Sequence, residues 1–147
     1  MKICNCVQSC YDKYVDFLQK YVVSILLLAI RVWIGLVFLR SGLVKFSNVE
    51  QAVFLFEYEY QVPFLSPTFA AISAMVFEMA CGAALIAGIF TRIAALPLIA
   101  MVFVIQFAVI QNIEHYYWLF LLGTLAVYGA GCFSLDALTC RFCKNNR

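Results

Sequence analysis

The sequence predicts an all-α protein, a four-helix transmembrane bundle with a short interfacial helix in its first loop. Three observations carry that prediction. Of 147 residues, 65% are hydrophobic and only 12% charged, against roughly half and about a quarter in an ordinary soluble domain. The apolar residues gather into four runs, each close to the roughly 20 residues that a helix needs to cross a hydrocarbon core of about 30 Å. Within each run they occupy consecutive positions, without the alternation over about ten residues that marks a strand of a membrane barrel. Backbone groups in lipid must be satisfied internally, so such runs are helices.

The elements follow in order. Residues 1–20 form an amphipathic head, 21–133 the four-helix membrane domain and 134–147 a tail rich in cysteine and basic residues. The spans are 21–45, 68–90, 93–113 and 116–133. Span one is interrupted by Arg31 and Arg40, span two holds Glu78, and spans three and four carry no charge. The turns at 91–92 and 114–115 are so short that the helices they join must stack antiparallel. In the long connection 46–67, aromatic residues alternate with Glu57 and Glu59 before Pro63 and Pro67. Its first half reads as a short helix lying at the interface, and the prolines turn the chain into span two.

Orientation follows from the basic residues of short connections. Lys2, Lys13, Lys20, Arg92, Arg141, Lys144 and Arg147 fall on one side, and Lys45 alone on the other. Head and tail are therefore expected in the cytoplasm, with Glu50, Glu57, Glu59 and Glu114 opposite. Span one is expected to be retained, because its polar lead is long and no small-x-small cleavage site follows it. A net charge of +2, dispersed along the chain, gives no footprint for nucleic acid.

Two charges stand out. Arg31 and Glu78 each lie about ten residues from a span end, near the midplane at 1.5 Å per residue. A lone charge there costs at least roughly 2.5–3.5 kcal/mol, so the two are expected to pair, either as a structural bridge between helices or as part of a functional pocket. Ser24, Arg31, Gly35, Gly42 and Lys45 recur along one face of span one. Ala80, Ala84 and Gly88 make a small-xxx-small ladder in span two. At the outer rim Lys45, Glu114, His115, Tyr116, Tyr117 and Trp118 add polar and aromatic groups. Lys45, Arg92, Glu114 and His115 are the polar candidates for a pocket. His115 is the sole histidine, so it can hydrogen-bond a carbonyl or phenol, relay a proton or simply face solvent, but a haem held by two histidines of one chain is excluded.

Of seven cysteines, Cys81 and Cys132 fall within or at the end of helices, where a thiol acts as a small hydrophobe. Cys4, Cys6, Cys10, Cys140 and Cys143 cluster at the two ends. In a reducing compartment three readings stand open for them: a thiolate metal site bridging head and tail, a redox pair at Cys140 and Cys143, or thiols without specific chemistry.

Arg31-x3-Gly35, Gly42-x2-Lys45, Glu78-x3-Gly82-x2-Leu85-x2-Gly88-x2-Thr91-Arg92 and Gly129-x-Gly131 with Ser134-Leu135-Asp136 together form a string that resembles the DoxX family of small integral membrane proteins. The resemblance spans about residues 25–138 and implies a four-helix membrane bundle in a bacterial inner membrane. It further implies an accessory or quinone-interacting subunit of a membrane oxidoreductase of the thiosulfate:quinone type, with partner subunits. The family's polar positions fall on Arg31, Lys45, Glu78, Arg92, Glu114 and Asp136, while Arg40 and the cysteine-rich ends depart from its pattern.

Three function classes follow. In the first, the bundle binds a quinone near the buried charges, and a partner subunit supplies electrons because the chain has no nucleotide-binding glycine motif. In the second, the protein is a non-catalytic scaffold or assembly factor, self-associated or joined to partners, whose buried charges specify helix docking. The third, a small transporter or channel, would need paired broken helices, and only Pro97 interrupts a span.

Overall fold

The computed structural model describes residues 14, 15, 17–60, 65–109 and 112–139. Among them the chain is all-helical. Helix α1, Val23–Ser47, continues a π-helical turn over Leu18–Val22. After Asn48, α2 runs Val49–Leu55 and extends as a π-helical turn over Phe56–Tyr60. Helix α3 is Pro67–Ala87, α4 is Thr91–Val104 with a π-helical extension Ile105–Val109, and α5 is Ile113–Tyr128. Lys20–Ser47 and Pro67–Ala87 are long and apolar enough to cross a membrane, and Thr91–Phe107 is a shorter apolar helix.

The boundaries have local causes. Pro67 opens α3 in its first turn, where a missing N–H costs nothing, and Gly88 closes it in the left-handed region at φ 72°. Asn112 starts α5 by accepting the backbone N–H of Glu114 at 3.2 Å. Pro97 is accommodated inside α4.

Helices α1, α3, α4 and α5 pack in a ring, each against its neighbour in the chain and α5 back on α1. Leu27, Ile34, Phe38, Leu85, Leu98, Val102, Leu122 and Leu125 fill the centre. The tightest seam is between α1 and α3. A Cβ added to Gly82 would stand 2.9 Å from the backbone N of Leu39 and 3.0 Å from the carbonyl of Gly35, so the two backbones touch there. The expected stripe on α1 is confirmed as a buried face through Ser24, Arg31, Gly35 and Gly42. On α3 the buried face runs through Ala71, Ala74, Glu78, Gly82 and Leu85, whereas Ala80 of the expected ladder is exposed. The other two ladder positions do pack: Ala84 lies against the core and Gly88 is buried.

Helix α2 does not lie apart from the bundle. It buries Ala52 and Phe56 against Ala70, Ala71 and Ala74 of α3, forming a second, smaller core. Residues 135–139 form a helical turn on the opposite end of the bundle. The ring therefore has two ends: one where α3 turns into α4 and α5 finishes, and one covered by α2.

Candidate functional site

The Arg31–Glu78 pair expected from the sequence is not formed. Close contact of Gly35 with Gly82, and of Gly42 with Met79, fixes the register of α1 on antiparallel α3. That register sets Arg31 beside Gly88, at the end of α3, and Glu78 beside Gly42. Counting from the ends of the runs had put both at one depth, but the first helix extends beyond its neighbours, so Arg31 meets the level where α3 and α5 finish.

At that end Arg31 serves architecture. Its Nη1 donates to the carbonyl of Ala130 at 2.9 Å and its Nη2 to that of Phe133 at 2.7 Å. A planar fork with several fixed donors suits two carbonyls of a tight turn. Nearby, Asp136 accepts the backbone N–H groups of Phe90 and Thr91 at 3.0 and 3.4 Å, capping α4, whose own N-cap position holds Phe90 and has no capping side chain. The Asp136 N–H in turn donates to the carbonyl of Gly88 at 3.1 Å. Ser134 ties the turn internally by donating to Gly131 and accepting from Ala137. Arg92 is exposed at this end.

Four helical turns along α1, about 21 Å away, the other charges meet. Lys45 Nζ donates to Glu78 Oε1 at 2.9 Å, to Glu78 Oε2 at 2.7 Å and to Ser41 Oγ at 2.8 Å. The three protons of the ammonium are thus all engaged. The two side chains are 19% and 5% exposed, so the carboxylate is the more deeply enclosed partner.

The pair lines a partly enclosed cavity of about 250 Å³ whose walls come from α1, α2, α3, α4 and α5 and include Phe38, Tyr60, Met101, Asn112, His115 and Trp118. Beside it lies Gln106, which is 1% exposed. Gln106 Oε1 accepts the backbone N–H of Asn112 at 3.0 Å, which fixes that atom as the oxygen. His115 Nδ1, 2.8 Å from the same oxygen, must then be the donor. A neutral His115 therefore carries its proton on Nδ1 and leaves Nε2 as an acceptor. The ring rests on Trp118, which in turn packs edge-on against Phe38. Burial pushes the Tyr60 phenol above its ordinary range, and the carboxylates of Glu59 and Glu78 add to the rise.

Of the polar candidates, Lys45, Glu78 and His115 come together, while Arg31 and Arg92 stand at the far end and Glu114 is exposed. Cys4, Cys6, Cys10, Cys140 and Cys143 lie outside the described residues. Four members of the site were missed by the sequence reading: Ser41, Tyr60, Gln106 and Asn112. Gln106 had a signal, being an amide inside an otherwise apolar run.

The molecule turns Leu26, Trp33, Phe69, Phe103, Phe107 and Phe120 outward and keeps an ion pair within, the reverse of a protein whose surface is solvated by water. That arrangement is a helical membrane protein. The DoxX family model matches residues 26–111, more than half of the chain, and the chain belongs to the DoxX family. The match includes Arg31, Lys45, Glu78 and Arg92; the Gly129–Asp136 part of the string lies beyond it. Neither curated proteins nor solved structures gave a match.

Proposed function

We propose that this DoxX protein is a four-span subunit of a membrane oxidoreductase system and binds the ring of a quinone in the cavity beside Lys45 and Glu78. The observation that carries the reading is the buried Lys45–Glu78 pair facing a cavity that also presents His115 and Tyr60. A dry cavity of roughly 150 Å³ accepts benzene, so about 250 Å³ has room for one substituted ring. Tyr60 can donate to a ring oxygen, and so can Lys45 once it releases Ser41, while Glu78 and the Nε2 of His115 can accept hydroxyl protons, the complementary set that a ring alternating between carbonyl and hydroxyl forms requires. Helices α4 and α5 cross alongside α1 and α3, both ends of the chain lie in the cytoplasm, and a partner subunit in a bacterial inner membrane supplies electrons.

The test is purification in mild detergent, solvent extraction and ultraviolet spectroscopy of the extract. Quinone should accompany the wild-type protein and be lost from a folded Lys45→Leu/Glu78→Leu variant. Equal quinone content in the two, or none in the wild type, overturns the assignment. A scaffold role is favoured by one observation, the complete use of the ammonium's protons inside the protein. It predicts normal partner assembly and no ring binding.

A further inference from the structure

The polar cavity shares a wall with a second chamber. Between α3 and α4 a groove of about 210 Å³ uses Phe56, Ala74, Met101 and Ile105, all four of which also line the cavity beside Lys45 and Glu78. Beyond that wall its lining is small or apolar, with Ala70, Phe77, Ala100 and Val104 among it. The one hydroxyl there, that of Ser73, donates to the carbonyl of Ala70 at 3.1 Å. Nothing in the groove calls for a polar ligand group. Its far side reaches the outer face of the bundle, where Phe77 is 47% and Val104 40% exposed.

A cavity rich in hydrogen-bonding groups, back to back with an apolar groove that opens sideways, matches an amphiphile in shape and in polarity. We infer that the groove holds the hydrocarbon tail of the ligand whose ring occupies the polar cavity, and that the tail passes Met101 to leave between α3 and α4. This rests on the ring site proposed above and adds to it the ligand class, a ring bearing a single long hydrocarbon chain, and its route. The separating wall suits such passage: Ala74 has no side chain beyond Cβ, and Met101 is unbranched with three rotatable bonds, able to swing aside at little cost. Because surrounding lipid is as apolar as the groove, the tail gains little from entering it. The groove therefore acts by accommodating the chain, and filling it should exclude tailed ligands alone.

The experiment compares two probes, a decyl-substituted benzoquinone and its tail-less parent ring, by fluorescence quenching on detergent-solubilised full-length protein. Ala100→Trp adds bulk at a position that lines the groove and not the polar cavity, and Ala83→Trp, exposed on α3 and lining neither chamber, controls for an added indole. Ala100→Trp should raise the Kd of the decyl probe roughly tenfold or more, the effect of forcing a bulky group into occupied space. The parent ring should bind as to wild type, and Ala83→Trp should change neither. Decyl binding unchanged by Ala100→Trp, or both probes weakened alike, overturns the groove as the tail's route. If neither probe binds wild-type protein, the ring site itself is wrong and the groove assignment falls with it.

Discussion

Removing Lys45 and removing Glu78 should not be equivalent, because the two side chains are enclosed to different depths. In Lys45→Leu the Glu78 carboxylate stays where it is, 5% exposed, and loses both of its contacts with the ammonium. A buried charge left without its partner costs about 3–5 kcal/mol. In Glu78→Leu the ammonium keeps Ser41, and Lys45 lies 19% exposed near the end of α1, where a four-carbon stem can carry it outward. Its loss should be nearer the roughly 1.5–3 kcal/mol of hydrogen bonds to a charged group. The double variant Lys45→Leu/Glu78→Leu leaves no orphan and should recover most of the stability, since an apolar pair of similar volume often matches a buried ion pair. Reversible unfolding in mixed micelles, followed by circular dichroism, would rank the four proteins. The expected order is wild type close to the double variant, then Glu78→Leu, then Lys45→Leu. A double variant no better than Lys45→Leu, or two single variants of equal stability, would refute the argument from depth.

Three further outcomes follow from the geometry. Gly82→Ala should lower stability by about 1–3 kcal/mol, an overpacking cost, because its new methyl meets the backbone of Leu39 and Gly35 and not a yielding side chain; the same unfolding assay measures it, and an unchanged midpoint contradicts the seam. Asp136→Ala should cost about 0.5–2 kcal/mol by uncapping α4 and should speed hydrogen exchange at the Phe90 and Thr91 amides, with the polar cavity and its ligand affinity untouched. The raised Tyr60 phenol means that the folded state binds a proton that the unfolded state has released above pH 10, so its contribution to stability is complete below pH 10 and disappears as pH climbs through the folded value. The difference in tyrosinate absorbance between wild type and Tyr60→Phe should therefore have its midpoint above pH 10; a midpoint at or below pH 10 would show the burial to be mistaken.

Helix type was legible in the sequence because long unbroken apolar runs show none of the alternation of a strand, and two of the four runs form helices long and apolar enough to cross a membrane. Runs such as 93–113 and 116–133 could be only helices, and α4 with its extension and α5 fall within a few residues of them. Which polar groups meet was not legible, because that depends on register. One glycine contact, Gly35 on Gly82, decides that Glu78 faces Lys45 and not Arg31, and nothing in either segment alone specifies how far two helices slide. The motif string read from the sequence also concealed two jobs. Arg31, Gly88 and Asp136 hold one end shut, while Lys45 and Glu78 build the cavity at the other. Gln106 escaped notice because an amide bears no charge and so raises no demand for a partner of opposite sign, although its oxygen is what orients His115.

The guanidinium on the first long helix leans on carbonyls contributed about a hundred residues later, at Ala130 and Phe133. A ribosome makes the cation first and its two acceptors only about a hundred residues later. Until they arrive, the guanidinium lacks the two carbonyls that hold it in the finished fold. A stop codon placed just before Ala130 should consequently be felt about a hundred residues upstream, as a first long helix whose buried cation has lost its acceptors.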